Sequence, residues 1–389
     1  MNAILEKEPS FYKVLMPIIL SVFGVYLTIG IALGVLPQFV RIHLGYGSMV
    51  VGLVMGLQFL ATLLTRARSG RMTDTQGAKK SKTTGIVLTV LAGTAYVLAV
   101  CFSHKPVPAL ALLLLARIVH GTGESFLVTG ALTWGIGLLG SSNSGKVMTW
   151  NGIAMYAGIA AGAPLGIWLS THFSPVFMFI PVVVLPSVSW LATVTLPEVS
   201  VDARYVRTPF YKVIGAVSGQ GLSLAFSSMA FGCIASFIAL YFTEKNWGDA
   251  SVAFAVFGAC YVLTRIFFTS FPDRYGGFKI ALISLVVEIA GQFLIWTSAT
   301  KTLAVIGCGL TGIGFSLVFP ALGVLALSKV KPQMRGTALG AYVAFVDLSL
   351  GLAGPLAGLM AGWFGYEAVY LFGGICCIVS VIILMFNKK

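Results

Sequence analysis

The chain has 389 residues, 58% of them hydrophobic and only 10% charged, with a mean hydropathy of +0.95. A soluble domain carries about 25% charged residues, so a water-soluble enzyme is excluded and lipid is the solvent. The formal net charge of +13 raises nucleic acid as a partner, but the placement of the charges removes that reading. In chain order, apolar runs fall at 14–40, 49–67, 83–102, 109–139, 146–171, 175–196, 211–242, 249–270, 278–299, 302–328, 335–364 and 367–386. Each is long enough to cross about 30 Å of hydrocarbon. Several exceed the minimum, which predicts tilting, kinking or interfacial ends. Backbone groups in lipid must bond internally, and runs of this length do so as helices. The sequence therefore predicts an all-α membrane protein of 12 transmembrane helices.

With the N-terminus in the cytoplasm, 20 of the 25 Lys and Arg residues fall on the cytoplasmic side. Arg41, Lys105, Lys245 and Lys301 fall outside, and Arg117 lies within a span. That excess is the positive-inside pattern and predicts both termini on the cytoplasmic side. Basic turns beside anionic headgroups need no nucleic acid. The six cysteines, 101, 233, 260, 308, 376 and 377, lie in or near predicted helices without metal-type spacing. They read as small buried apolar residues. No metal or cofactor is expected.

Between the sixth and seventh runs, 197–210 is the most polar stretch of mid-chain and is bracketed by Pro197 and Pro209. It predicts a six-helix unit over 1–197, a linker over 198–210 and a second six-helix unit over 211–389. The two units repeat one another. Arg66-x7-Asp74-x2-Gly77 returns 199 residues later as Arg265-x7-Asp273-x2-Gly276. At an offset of 191, Gly121-x-Gly123 matches Gly312-x-Gly314, Gly145 matches Gly336, and Pro164-Leu165 matches Pro355-Leu356. Six is even, so the repeats are parallel, an arrangement used by transporters that rock two halves about a midplane site. Two fused repeats complete such a unit, so a monomer is expected.

Gly70-Arg-Met-Thr-Asp74-Thr-Gln-Gly77-Ala-Lys79-Lys80 resembles the loop 2–3 motif G-x-L-x-D-R-x-G-R-K of the major facilitator superfamily. It departs from it at Met72, Thr75 and Ala78. Arg117-x3-Gly121-x-Gly123 is similar to the helix 4 motif of proton-coupled members. Gly158-x3-Gly162-Ala-Pro164-Leu-Gly166 is similar to the helix 5 antiporter motif, with an echo at Gly351-x2-Gly354-Pro355-x2-Gly358. Leu36-Pro37 resembles a drug-exporter feature. Trp150-Asn151-Gly152 and the run 312–323 resemble YhhS/YfcJ-type permeases, grouped with arabinose-efflux-like and drug:proton antiporters. The resemblance covers essentially the whole chain. It implies a latch formed by Arg66, Gly70, Asp74 and Gly77 and echoed by Arg265, Asp273 and Gly276. On chemistry alone, Asp74 can pair with Arg66 or Arg71, or face a helix N-terminus. Gly158, Gly162, Pro164, Gly354 and Pro355 suit either sliding, bending helices or static close packing.

Ionisable groups inside the membrane are costly and usually face a cavity, a partner or a proton path. Arg117, His120 and Glu124 share one helix face, and their spacing lets His120 bridge the other two. Asp347 has no basic residue within a turn of its own helix, so a partner must come from another helix or the group is often protonated. Proton coupling is assigned to Asp347, Glu124 and, as a further candidate, Glu288. Substrate binding and structural hydrogen bonding are the other readings. The substrate cavity is assigned to Arg117, His120, Gln58, Trp134, Asn151, Tyr156 and Tyr261, with Tyr26, Gln38, Thr129, Gln220, Ser227 and Ser316 as further polar candidates.

No nucleophile–base pair, phosphate loop or metal cluster suggests an enzyme, and no ATP motif supplies energy. The expected function is proton-coupled efflux, by antiport, of a small drug-like, sugar-like or metabolite molecule. The alternative is import or uniport of a sugar or metabolite on the same fold. The expected partners are the small-molecule substrate, protons and the lipid bilayer.

Overall fold

The computed structural model describes residues 11–140, 143–173, 175–199, 211–330 and 335–387. Most of the predicted linker, 200–210, and the terminal lysines 388 and 389 lie outside them. Helices come in chain order as α1 (Phe11–Gln38), α2 (Ser48–Gln76), α3 (Ala78–Cys101), α4 (Pro106–Leu139), α5 (Ser144–His172) and α6 (Ile180–Leu191). They continue as α7 (Tyr211–Glu244), α8 (Ser251–Phe268), the short α9 (Phe271–Tyr275), α10 (Gly277–Trp296), α11 (Lys301–Ser328), α12 (Arg335–Phe364) and α13 (Tyr366–Phe386). Among the described residues, eleven helical segments are long and apolar enough to cross a membrane.

The sixth run is the exception. Instead of one span over 175–196 it folds as a 3-10 turn at Pro175–Met178 followed by the 12-residue α6. Two prolines mark the break. Pro175 begins the 3-10 turn and Pro181 the first turn of α6, where a missing backbone donor is tolerated, while Pro186 is carried inside α6. Near the end of α1, Pro37 is followed by a π-helical stretch, Phe39–His43.

The internal repeat is visible in the backbone. Gly77, between α2 and α3, has φ +98°, and Gly276, between α9 and α10, has φ +90°. Both turns need a residue without a Cβ, which is why the glycine recurs with the Arg–Asp spacing. Within the first half α1 packs on α5 and α3 on α4; within the second, α10 packs on α11 and α7 on α12 and α13.

The halves meet along two seams, α2 with α12 and α5 with α8, and at the ends of α1 and α7. In the α2–α12 seam a Cβ on Gly52 would stand 2.1 Å from the Gly354 carbonyl oxygen, so only glycine permits this approach. At the end away from the basic turns, Gln38 Nε2 donates to Thr243 Oγ1 at 3.0 Å and closes α1 onto α7.

Candidate transport site

Glu124 is buried on α4 among neutral groups. Tyr26 Oη of α1 donates to it at 2.8 Å and Gln58 Nε2 of α2 at 2.9 Å, and Thr62 Oγ1 lies 3.3 Å away, its one proton shared with the nearer Gly121 and Gln58 carbonyls at 2.9 and 3.0 Å. Gly121, one turn before Glu124, is what lets α4 approach α2 closely enough for these bonds; a Cβ there would meet the Gln58 carbonyl oxygen at 2.0 Å. The hydroxyls can rotate to donate or accept, so the cluster can hold the carboxyl group in either protonation state.

Asp347, in the middle of α12, meets Arg66 of α2. Arg66 Nη2 donates to Oδ1 at 2.9 Å and Nε to Oδ2, a two-pronged ion pair between the halves. Such a fork fixes geometry as well as charge. Arg66, read from sequence as a latch residue near Asp74, is thus the partner that Asp347 lacked on its own helix. Glu124 lies within electrostatic reach of both members of the pair.

The other α4 residues point elsewhere. Arg117 is fully buried and donates to the Val54 and Met55 carbonyls, both at 2.9 Å. His120 sits between Thr28 Oγ1 at 3.2 Å and Tyr96 Oη at 3.3 Å. Both ties lie inside the first half, so His120 does not bridge Arg117 to Glu124. Periodicity puts the three on one face, but that face is wide enough to touch α1, α2 and α3 together. Trp134 donates from Nε1 to the Pro197 carbonyl at 2.9 Å, with Lys79 and Lys82 over its ring. It belongs to the basic end of the bundle. Glu288 is buried inside the second half, where Ser227 Oγ donates to it at 2.6 Å.

Across the α5–α8 seam, Tyr156 stacks on Tyr261 with ring centroids 4.0 Å apart. Phe231, Phe257 and Phe315 continue this wall. Arg265, one turn beyond Tyr261, donates to its hydroxyl at 2.9 Å. Asn151 is buried on α5, with its amide nitrogen on Met155 Sδ at 3.1 Å. Of the packing residues, Gly158 and Gly162 press on α1, while Gly354 and Pro355 press on α2. Gly70 is buried within α2, and Asp273 lies in the first turn of α9.

Sequence reasoning missed Thr62 and the phenylalanine wall. A signal was present: at the 199 and 191 offsets, Gln58, Thr62 and Glu124 correspond to Phe257, Tyr261 and Phe315. Chemistry-bearing positions in one half mark the lining in the other.

The family profile described as Major Facilitator Superfamily matches residues 18–252 and 220–389. An uncharacterized MFS-type transporter of Burkholderia mallei is 39% identical over 92% of this chain and 88% of its own. Another from Salmonella typhimurium is 38% identical over 94% of each. Among solved structures, a D-xylose-proton symporter superposes with a TM-score of 0.77 at 15% identity, covering 96% of this chain and 97% of that one. A point mutant of the nucleoside transporter NupG gives 0.76 at 16%, covering 97% and 100%.

These neighbours overturn the antiporter and efflux expectation, since a proton symporter and a nucleoside transporter share the fold through which the motifs were read. The physical reason lies in the motifs. The Gly/Pro runs of α5 and α12 act as close-packing surfaces against α1 and α2 and carry no direction of transport. On the profile, the relatives and the fold together, this chain belongs to the Major Facilitator Superfamily, a bacterial multi-pass inner-membrane transporter and not an enzyme.

Proposed function

We propose that the protein is a proton-coupled importer of a small polar metabolite or sugar, working by alternating access of 1–197 against 211–389. The observation that carries this reading is Glu124, a buried carboxyl group held by the neutral donors Tyr26 and Gln58, together with an ion pair that joins the two halves. Separation of α2 from α12 breaks the Arg66–Asp347 fork and frees a carboxylate to take a proton. Glu124 takes or releases a second proton without losing its hydrogen bonds. Each charge moved is worth about 2.3 kcal/mol at 100 mV, enough to drive uphill uptake. The charge bias of the loops supports cytoplasmic termini, and the fused repeats support a monomer. Residues 150–152 and 312–323 support a narrower grouping with YhhS/YfcJ-type permeases.

The test uses proteoliposomes with a pH dye inside. Sugars, nucleosides and small carboxylates are added outside in turn, with Glu124→Gln and Asp347→Asn proteins in parallel. Import with protons acidifies the lumen on addition of one compound class, and both variants lose that signal. A compound that equilibrates without acidification would make the protein a uniporter. Retained gradient-driven accumulation in Glu124→Gln would remove that residue from the coupling.

A further inference from the structure

The two seams between the halves are related by the repeat, and their charge is not. Arg66 and Arg265 occupy equivalent positions at the 199 offset, and Asp347 and Tyr156 occupy equivalent positions at the 191 offset. In the α2–α12 seam this gives a closed ion pair. In the α5–α8 seam the carboxylate is replaced by a phenol. Arg265 is buried, bonds only to the neutral Tyr261 hydroxyl among the described residues, and its Nε has no hydrogen-bond partner. The ion pairs among the described residues, Arg66–Asp347 and Lys245–Glu367, do not include it.

A second unpartnered group lies on the facing helix, α5. Arg265 Nη2 reaches across the seam to α5, where a Cβ on Gly152 would stand 3.8 Å from it. The neighbouring Asn151 is buried, and its Oδ1 has no partner. The guanidinium lies over the rings of Tyr261 at 5.6 Å and Phe319 at 5.9 Å, which supports it in place without neutralising it. A buried cation without a counter-charge is costly. A guanidinium with free donors is shaped for the planar fork of a carboxylate.

We infer that the substrate supplies the missing carboxylate: Arg265 binds the acid group of a small organic anion. Asn151 accepts from a hydroxyl or amine on that molecule, and the Tyr156, Tyr261, Phe315 wall packs its body. This deepens the transport reading above by naming a substrate class, and it rests on that reading only for the direction of movement.

Equilibrium binding separates the two. Purified protein is titrated with small hydroxy- and aromatic monocarboxylates at millimolar concentration, each beside its uncharged amide, at constant ionic strength, with thermal stabilisation as the readout. At least one carboxylate is expected to stabilise the protein saturably while its amide does not. Arg265→Gln is expected to weaken that binding about 10- to 150-fold, the range for a charge-assisted hydrogen bond of about 1.5–3 kcal/mol. Arg265→Lys should recover part of it. Tyr156→Asp, which restores the carboxylate of the other seam, should abolish binding although Arg265 is present. The inference fails if no carboxylate binds, if the amide binds as well as the acid, or if Arg265→Gln or a folded Tyr156→Asp protein binds as wild type does.

Discussion

The corner formed by α2 and α4 and the corner formed by α8 and α11 occupy corresponding places in the two repeats, yet their side chains have opposite character. Gln58, Thr62 and Glu124 make a hydrogen-bonded acid site in the first. Phe257, Tyr261 and Phe315 make an aromatic wall in the second, with Phe257 stacked on Tyr261 and Phe315 tilted against it at 5.9 Å. The repeat therefore governs where backbones run and where they touch, while the chemistry facing the interface is set separately in each half. A transporter gains from this division. One half holds a group that changes protonation, and the other offers a surface for an organic molecule. The asymmetry extends to the seams, where Arg66 has an aspartate and Arg265 does not.

Breaking the paired seam should have the largest effect. Asp347→Ala leaves Arg66 without its carboxylate, and loss of one member of a buried pair costs about 3–5 kcal/mol. The low end applies, because the Arg66 side chain keeps 20% exposure and solvent screens what remains. Unfolding in detergent measures it. Arg265→Gln loses only the bond to Tyr261, about 1 kcal/mol, and relieves the cost of an unpaired buried cation, so its net effect should lie between a loss of that size and a gain in stability. Equal losses would show that the two arginines are equivalent after all.

Packing gives a smaller contrast. Gly52→Ala drives a methyl into the Gly354 carbonyl, a backbone atom that cannot rotate away. Overpacking of this kind costs about 1–3 kcal/mol, charged against the state in which α2 and α12 touch. A cysteine replacing Gln38, in a background lacking the exposed Cys101, should react faster with a soluble maleimide once Gly52 is substituted, because the α1–α7 closure opens more often. An unchanged rate would mean that the seam and that closure are independent.

Much of this architecture was legible in the sequence because it follows from one-dimensional patterns. Run length gave eleven of the spans among the described residues, and the recurring Arg–Asp–Gly spacing gave the two similar turns at Gly77 and Gly276. The sixth helix is shorter than the run 175–196, because run length does not register that Pro175 and Pro181 each start a new helical segment. The site was legible in parts. Glu124 and Asp347 stand out by the cost of charge in lipid, but their partners come from other helices, and neither Arg66 nor Tyr26 is near its acid in sequence. Arg117 and His120 showed the opposite error. Intramembrane charge signals a requirement, and here helix carbonyls and hydroxyls inside one half meet it.

The smallest predicted effect tests the correspondence of Tyr156 with Asp347. Tyr156→Phe keeps the ring, the 4.0 Å stack on Tyr261 and the neutrality of the seam. It removes only a hydroxyl, so stability should fall by no more than about 1 kcal/mol, and carboxylate affinity should stay within a few-fold of wild type. Tyr156→Ala removes the stack as well, and an aromatic pair is worth about 0.5–1.5 kcal/mol beyond its area, so it should be clearly less stable than Tyr156→Phe. A large loss of binding in Tyr156→Phe would mean that the hydroxyl itself holds the anion. Tyr156 would then be a ligand, and the anion would sit between the phenol and Arg265 in the place that Asp347 fills opposite Arg66.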